Sequence, residues 1–120
     1  MRIEKPNLFP EDLAAWLKQA DDQTIRAWLA RRITKAMSEI LPSHEGTTVS
    51  QKDVDALDER YFTLQEQGKK QESMAYFLKA RLASAAMCMQ LGDLESALYE
   101  FWHSQEEQNV ASFIADIEKA

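Results

Sequence analysis

Glycine and proline are scarce in this chain, with three of each in 120 residues. Pro6, Pro10, Pro42, Gly46, Gly68 and Gly92 all fall between periodic apolar runs and never inside one. Breakers placed this way punctuate a helical chain. So few glycines leave no room for a P-loop or a dinucleotide fingerprint, and neither pattern occurs. The single cysteine, Cys88, excludes an intramolecular disulfide framework and a cysteine-rich zinc site, and it fits a reducing compartment. No stretch approaches the roughly 20 apolar residues that span a bilayer. The opening MRIEKPNLFPED has no apolar run of signal-peptide length. The expectation is a cytoplasmic protein with no membrane segment.

Positive charge is also missing where it would matter for nucleic acid. Between Asp93 and Glu118 there is no Lys or Arg. Residues 1–41 carry seven Lys/Arg and six Asp/Glu, a net of +1; residues 42–120 carry seven and fourteen, a net of −7, which gives the overall −6. Neutralising phosphates needs clustered cations, so nucleic acid is not expected as a ligand. The one basic cluster is Arg26, Arg31, Arg32 and Lys35. It reads as a solvated helix face or as a patch for an acidic partner or the acidic half of a second copy.

What is present is apolar periodicity. The chain is 45% hydrophobic and 28% charged, ordinary for a globular protein and long enough for one domain with its own core. Met74, Phe77, Leu78, Leu82, Ala85 and Met89 recur at three- and four-residue steps, which marks one helical face. From Leu82 to Leu91 the apolar character extends round most faces, so this becomes the central helix. Ala80, Ala83, Ala85 and Ala86 favour the helix and let neighbours approach closely. Gly92 ends it and Asp93 caps the next helix, whose inner stripe is Leu94, Ala97, Leu98 and Phe101. So short a connection makes the pair antiparallel.

The remaining segments follow the same logic. Residues 1–9 read as an extended, flexible arm. Pro10 opens a helix with Leu13, Trp16, Leu17 and Ala20. A second carries Ile25, Trp28, Leu29, Ile33, Met37 and Ile40. If residues 11–41 formed one straight helix, Trp16 and Trp28 would stand about 120° apart. A break at Asp21-Asp22 resolves the conflict; one continuous bent helix is the alternative. Residues 42–49 are a loop. Ser50 and Asp53 form a capping-box start for a helix with Val54, Leu57, Tyr61 and Leu64 that ends at Gly68. Asn109 caps a last helix with Val110, Phe113, Ile114 and Ile117. The predicted fold is all-α: about six helices in one compact antiparallel bundle, residues 1–120 forming a single domain.

The central stretch resembles a tetratricopeptide-type helical hairpin. Ala85, then Gly92-Asp93, then Ala97, Phe101 and Ser104 carry the likeness. A fainter echo at Gly68, Ser73, Phe77 and Ala80 lies 24 residues earlier. The clear part spans Leu82 to Ser104. The spacing departs from the family's period of about 34 residues, and Arg81 stands where a Trp is usual. The resemblance implies protein or peptide binding in a groove lined by the first helix, here Lys79, Leu82, Ala86, Met89 and Gln90. Leu82, Ala86 and Met89 read equally well as core.

Catalytic apparatus is thin. Glu100 and His103 share the Glu-x-x-His spacing of carboxylate di-iron bundles, but the second such motif is missing: His44, the only other histidine, has Leu41 at the position of its glutamate. Cys88, between two methionines, reads as an inert core residue with a raised pKa. No metal or cofactor is expected. The expected function is a non-catalytic interaction module, an adaptor or partner-specific chaperone. Alternatives are an immunity or antitoxin protein masking a basic partner with the acidic C-terminal half, and a structural homo-oligomer in which Trp16 or Trp28 packs against a second copy.

Overall fold

The computed structural model describes residues 1–41 and 48–119. It is all-helical: α1 (Glu11–Gln19), α2 (Asp22–Ile40), α3 (Gln51–Glu66), α4 (Lys70–Gln90), α5 (Leu94–His103) and α6 (Val110–Glu118), with a 3-10 turn at Pro6–Leu8. Among the described residues there is no strand, and no helix is long and apolar enough to cross a membrane. Most of the predicted loop, residues 42–47, lies outside the described residues.

Local chemistry sets the boundaries. The α1–α2 break is real: Ala20 and Asp21 are extended, and the Asp21 carboxylate accepts from the Thr24 N–H at 3.0 Å. Leu17 and Leu29 are both fully buried, yet Trp28 is buried and Trp16 only half-buried. The repeated Ala-Trp-Leu triplet therefore serves two different environments. Ser50 and Asp53 exchange side-chain and backbone hydrogen bonds across the start of α3. Asp93 and Asn109 cap α5 and α6 through Ser96 N–H at 3.1 Å and Ser112 N–H at 2.9 Å. Gly92 has φ +78°. Asp93 N–H donates to the Cys88 carbonyl and Gly92 N–H to the Met89 carbonyl, the paired bonds that close a helix through a left-handed residue.

The core lies where α2, α4 and α5 meet, with α1 and α6 against them. Ala80, Ala83, Ala85 and Ala97 are buried to 1% exposure or less, so α4 and α5 approach closely at alanines, as the sequence predicts. Trp28, Phe101, Trp102 and Phe113 interlock at ring-centroid distances of 5.0 to 6.3 Å, and Trp28 Nε1–H donates to Asp116 on α6 at 2.8 Å. The central helix departs from its predicted stripe in one respect. Its C-terminal half is core, but Met74 is 52% exposed and Phe77 and Leu78 only half-buried.

The N-terminal arm also differs from expectation. It is docked, because Glu95 in the first turn of α5 accepts from Glu4 N–H and Lys5 N–H, each at 2.8 Å. Phe9 is buried with its ring edge-on to Tyr99. A carboxylate at a helix N-terminus thus holds a segment some 90 residues away.

Candidate functional site

Among the described residues helix α3 has α4 as its one sizeable neighbour, and only Val54 and Leu64 of its side chains are buried. The two helices run antiparallel: Tyr61 meets Phe77 with centroids 5.4 Å apart, and Asp58 meets Arg81. Arg81 shows which side of this hairpin carries α5. Its Nη1 donates to Glu100 of α5 at 2.8 Å and its Nη2 to Asp58 of α3 at 3.3 Å. The opposite side is marked by Tyr76, with Arg60 and Lys79 over its ring at 5.8 and 4.6 Å.

Helix periodicity then assigns the remaining side chains. Phe62 lies one turn from Asp58, and Leu78 and Met74 lie one and two turns before Arg81. All three fall on the side where α5 packs. Yet α5 has 10 residues and α4 has 21, about 15 Å against about 31 Å. Helix α5 runs out at His103, and the N-terminal half of α4 continues without it. Beyond that end Phe62 is 58% and Met74 52% exposed.

The uncovered half of α4 is a channel rather than a flat face. One hollow of about 600 Å³ lies between Gln71, Met74 and Leu78 on α4 and His103, Gln105 and Gln108. A second, of about 480 Å³, runs between Leu78 and Leu82 and the α2 residues Arg32, Lys35, Ala36 and Ile40. They share Leu78, Gln105 and Glu106, so they form one elongated groove. Its floor is apolar and its length follows α4 for three turns.

The residues predicted for a groove do not make one. Leu82 and Ala86 are 1% and 7% exposed and belong to the core, as the competing reading of the sequence has it. Met89 is half-buried against that core. Lys79 is taken up by Tyr76. Gln90 is committed to holding the chain ahead of α3, because its side-chain amide accepts from Val49 N–H at 2.9 Å and donates to the Val49 carbonyl at 2.7 Å. The observed groove uses the same helix two turns earlier and retains only Leu82, at its floor. Of the missed residues, Met74 continues the α4 stripe and carries no signal that separates it from core, whereas Phe62 stands outside the Val54, Leu57, Tyr61 and Leu64 stripe of α3.

The basic cluster divides. Arg32 and Lys35 border the groove, whereas Arg26 and Arg31 are exposed and do not line it. Arg32 Nε also lies 3.5 Å from Asp116. Glu100 and His103 do not converge on a ligand: Glu100 is bonded to Arg81, and the His103 ring rests 4.5 Å from Tyr99. Among the described residues no group of three His, Cys, Asp or Glu is arranged to hold a metal ion. Cys88 is half-buried and its thiol pKa is raised by burial, then by Glu100 and Asp93. Trp28 is 3% exposed and presents no surface to a second copy. Trp16 is half-buried against the core.

No family model matches the chain, and neither the curated proteins nor the solved structures include a similar one.

Proposed function

We propose that this protein is a non-catalytic helical interaction module, an adaptor or a chaperone for one partner, which receives a helical segment along the uncovered half of α4. The observation that carries the reading is the length mismatch between α5 and α4, with Met74 exposed in the groove it leaves and Phe62 exposed on α3. Exposed apolar side chains rimmed by polar ones mark contact surfaces. A groove that follows one helix and is open along its axis suits another helix. The tetratricopeptide-like reading of α4 and α5 is part of the same proposal, supported by the buried Ala85 and Ala97, and so is a cytoplasmic location.

Affinity capture from native extract tests it, comparing wild type with Phe62→Ser/Met74→Ser. Both side chains are exposed, so the variant keeps its helicity and unfolding midpoint. The expected result is a stoichiometric protein retained by wild type and lost by the variant. Equal retention by both, or nothing retained by either, removes the reading.

Masking of a basic partner by the acidic C-terminal half is the second reading. It has one specific support: Glu106 and Glu107, in the stretch without Lys or Arg, border this groove.

A further inference from the structure

Residues 1–8 lie on the molecule without entering it. None of them is buried, and Phe9 is the first residue that is. Met1 and Ile3 are half-buried against the core, while Leu8 is 41% exposed. Two ties hold the segment. The Met1 ammonium donates to the Ala20 carbonyl at the end of α1 and stands 3.6 Å from Asp22. Further along, the two oxygens of the Glu95 carboxylate divide the work: Oε1 accepts from Glu4 N–H and Oε2 from Lys5 N–H, each at 2.8 Å and each at the surface. Between the segment and α5 a hollow of about 130 Å³ remains, lined in part by Lys5, Leu8, Glu95 and Tyr99. The segment therefore bridges α5 instead of packing down on it. Phe9 marks its limit, because that ring is buried edge-on to Tyr99 and α1 begins two residues later.

We propose that residues 1–8 form a strap that opens as a unit while the helices stay folded, and that Glu95 is its latch. Little buried apolar surface and solvent-exposed backbone hydrogen bonds define the parts of a fold that open first. Breaking the Glu95 bonds strands no buried polar group, since water reaches both N–H groups once they are released. The latch itself does not depend on the strap. Glu95 sits in the first turn of α5, where the free N–H groups of the helix favour a negative charge whether the strap is on or off. Charge gives the two bonds their strength, so a neutral side chain of the same shape holds less well. Opening frees the carboxylate and the surface under Ile3. This lies at the opposite end of α5 from the groove, so the strap stands apart from the reading of the groove as a helix receptor.

Native-state amide exchange on the full chain tests this. The Glu4 and Lys5 amides are expected to exchange about tenfold or more slower than in a free peptide, yet about a hundredfold or more faster than the amide of Leu98 in the core. Ile33→Val, a mild change in the core away from the strap, is expected to speed Leu98 exchange about fivefold and to leave Glu4 and Lys5 unchanged. Glu95→Gln offers a single oxygen, so one of the two N–H groups faces its NH2. It is expected to speed exchange at Glu4 and Lys5 about tenfold. Strap amides as slow as Leu98, or accelerated by Ile33→Val in step with it, overturn the independent opening. Absence of protection in the wild type, or no effect of Glu95→Gln, overturns Glu95 as the latch.

Discussion

Arg81 and Glu100 join α4 to α5 by a 2.8 Å hydrogen bond between groups 22% and 15% exposed. The same guanidinium turns its other arm to Asp58, so one side chain ties three helices. Removing one member of such a set leaves partly desolvated charge behind, which costs more than the intact set contributes. Arg81→Met is therefore expected to lower stability by about 2–3 kcal/mol, below the range for fully buried pairs because these groups keep some water. Glu100→Gln in the Arg81→Met background is expected to restore part of that loss. Urea unfolding of the four proteins of this cycle checks both.

Gln90 and Val49 form a second long-range tie, a side-chain amide paired with both backbone groups of one residue. Val49 is 3% exposed, so the loss leaves its polar backbone groups poorly compensated. Gln90→Ala is expected to cost about 1–2 kcal/mol. Gln90→Glu keeps the acceptor for the Val49 N–H but sets a carboxylate against the Val49 carbonyl, and it is expected to be at least as damaging. Amide exchange at Val49, faster in both variants, localises the effect.

Asp93 makes stability depend on pH. Hydrogen bonds from Ser96 hold its pKa below the usual carboxylate value. A depressed folded-state pKa gives stability that is fully present above the unfolded pKa, about 4, and is lost as pH falls through the lower folded value. Asp93→Ala is expected to cost about 1 kcal/mol at neutral pH. The gap between variant and wild type narrows as acid removes the wild-type charge. Asp93→Asn keeps an acceptor and falls between them. Urea midpoints measured from neutral pH down into acid follow the convergence.

Gly92 is a test of backbone strain alone. A Cβ built there meets nothing within 4 Å, yet φ is +78°. Gly92→Ala is expected to cost about 1–2 kcal/mol, and Gly92→Asn less, because Asn tolerates the left-handed region better. Thermal unfolding of the two variants ranks them.

What is legible in the sequence follows the range of each interaction. Asp21, Ser50, Asp93 and Asn109 bond within three residues of themselves, and Gly92 serves the turn it sits in. Such signals are complete within a few residues, so the helix boundaries and the α1–α2 break can be read before any packing is known. The burial of Leu17 on α1, Ile25 and Leu29 on α2 and Leu98 on α5 is legible for the same reason, since helical period is a local property. The groove is different. Met74, Phe77 and Leu78 continue the period of Leu82 and Ala85 without interruption, and a pattern along one helix carries no mark of where its neighbour stops.

The sequence by itself therefore determined a helical chain, the six helices found among the described residues, the side-chain caps of four of them and an acidic C-terminal half. Tertiary structure decided which of Trp16 and Trp28 is buried, that Glu95 holds the N-terminal arm, and that Leu82 and Ala86 are core. It also decided that the open face of α4 lies at Met74 and Leu78. Each of these depends on groups far apart in the chain and on the relative lengths of α4 and α5. Period and propensity fix a helix and its apolar side, but exposure is set by how far the neighbouring helix reaches.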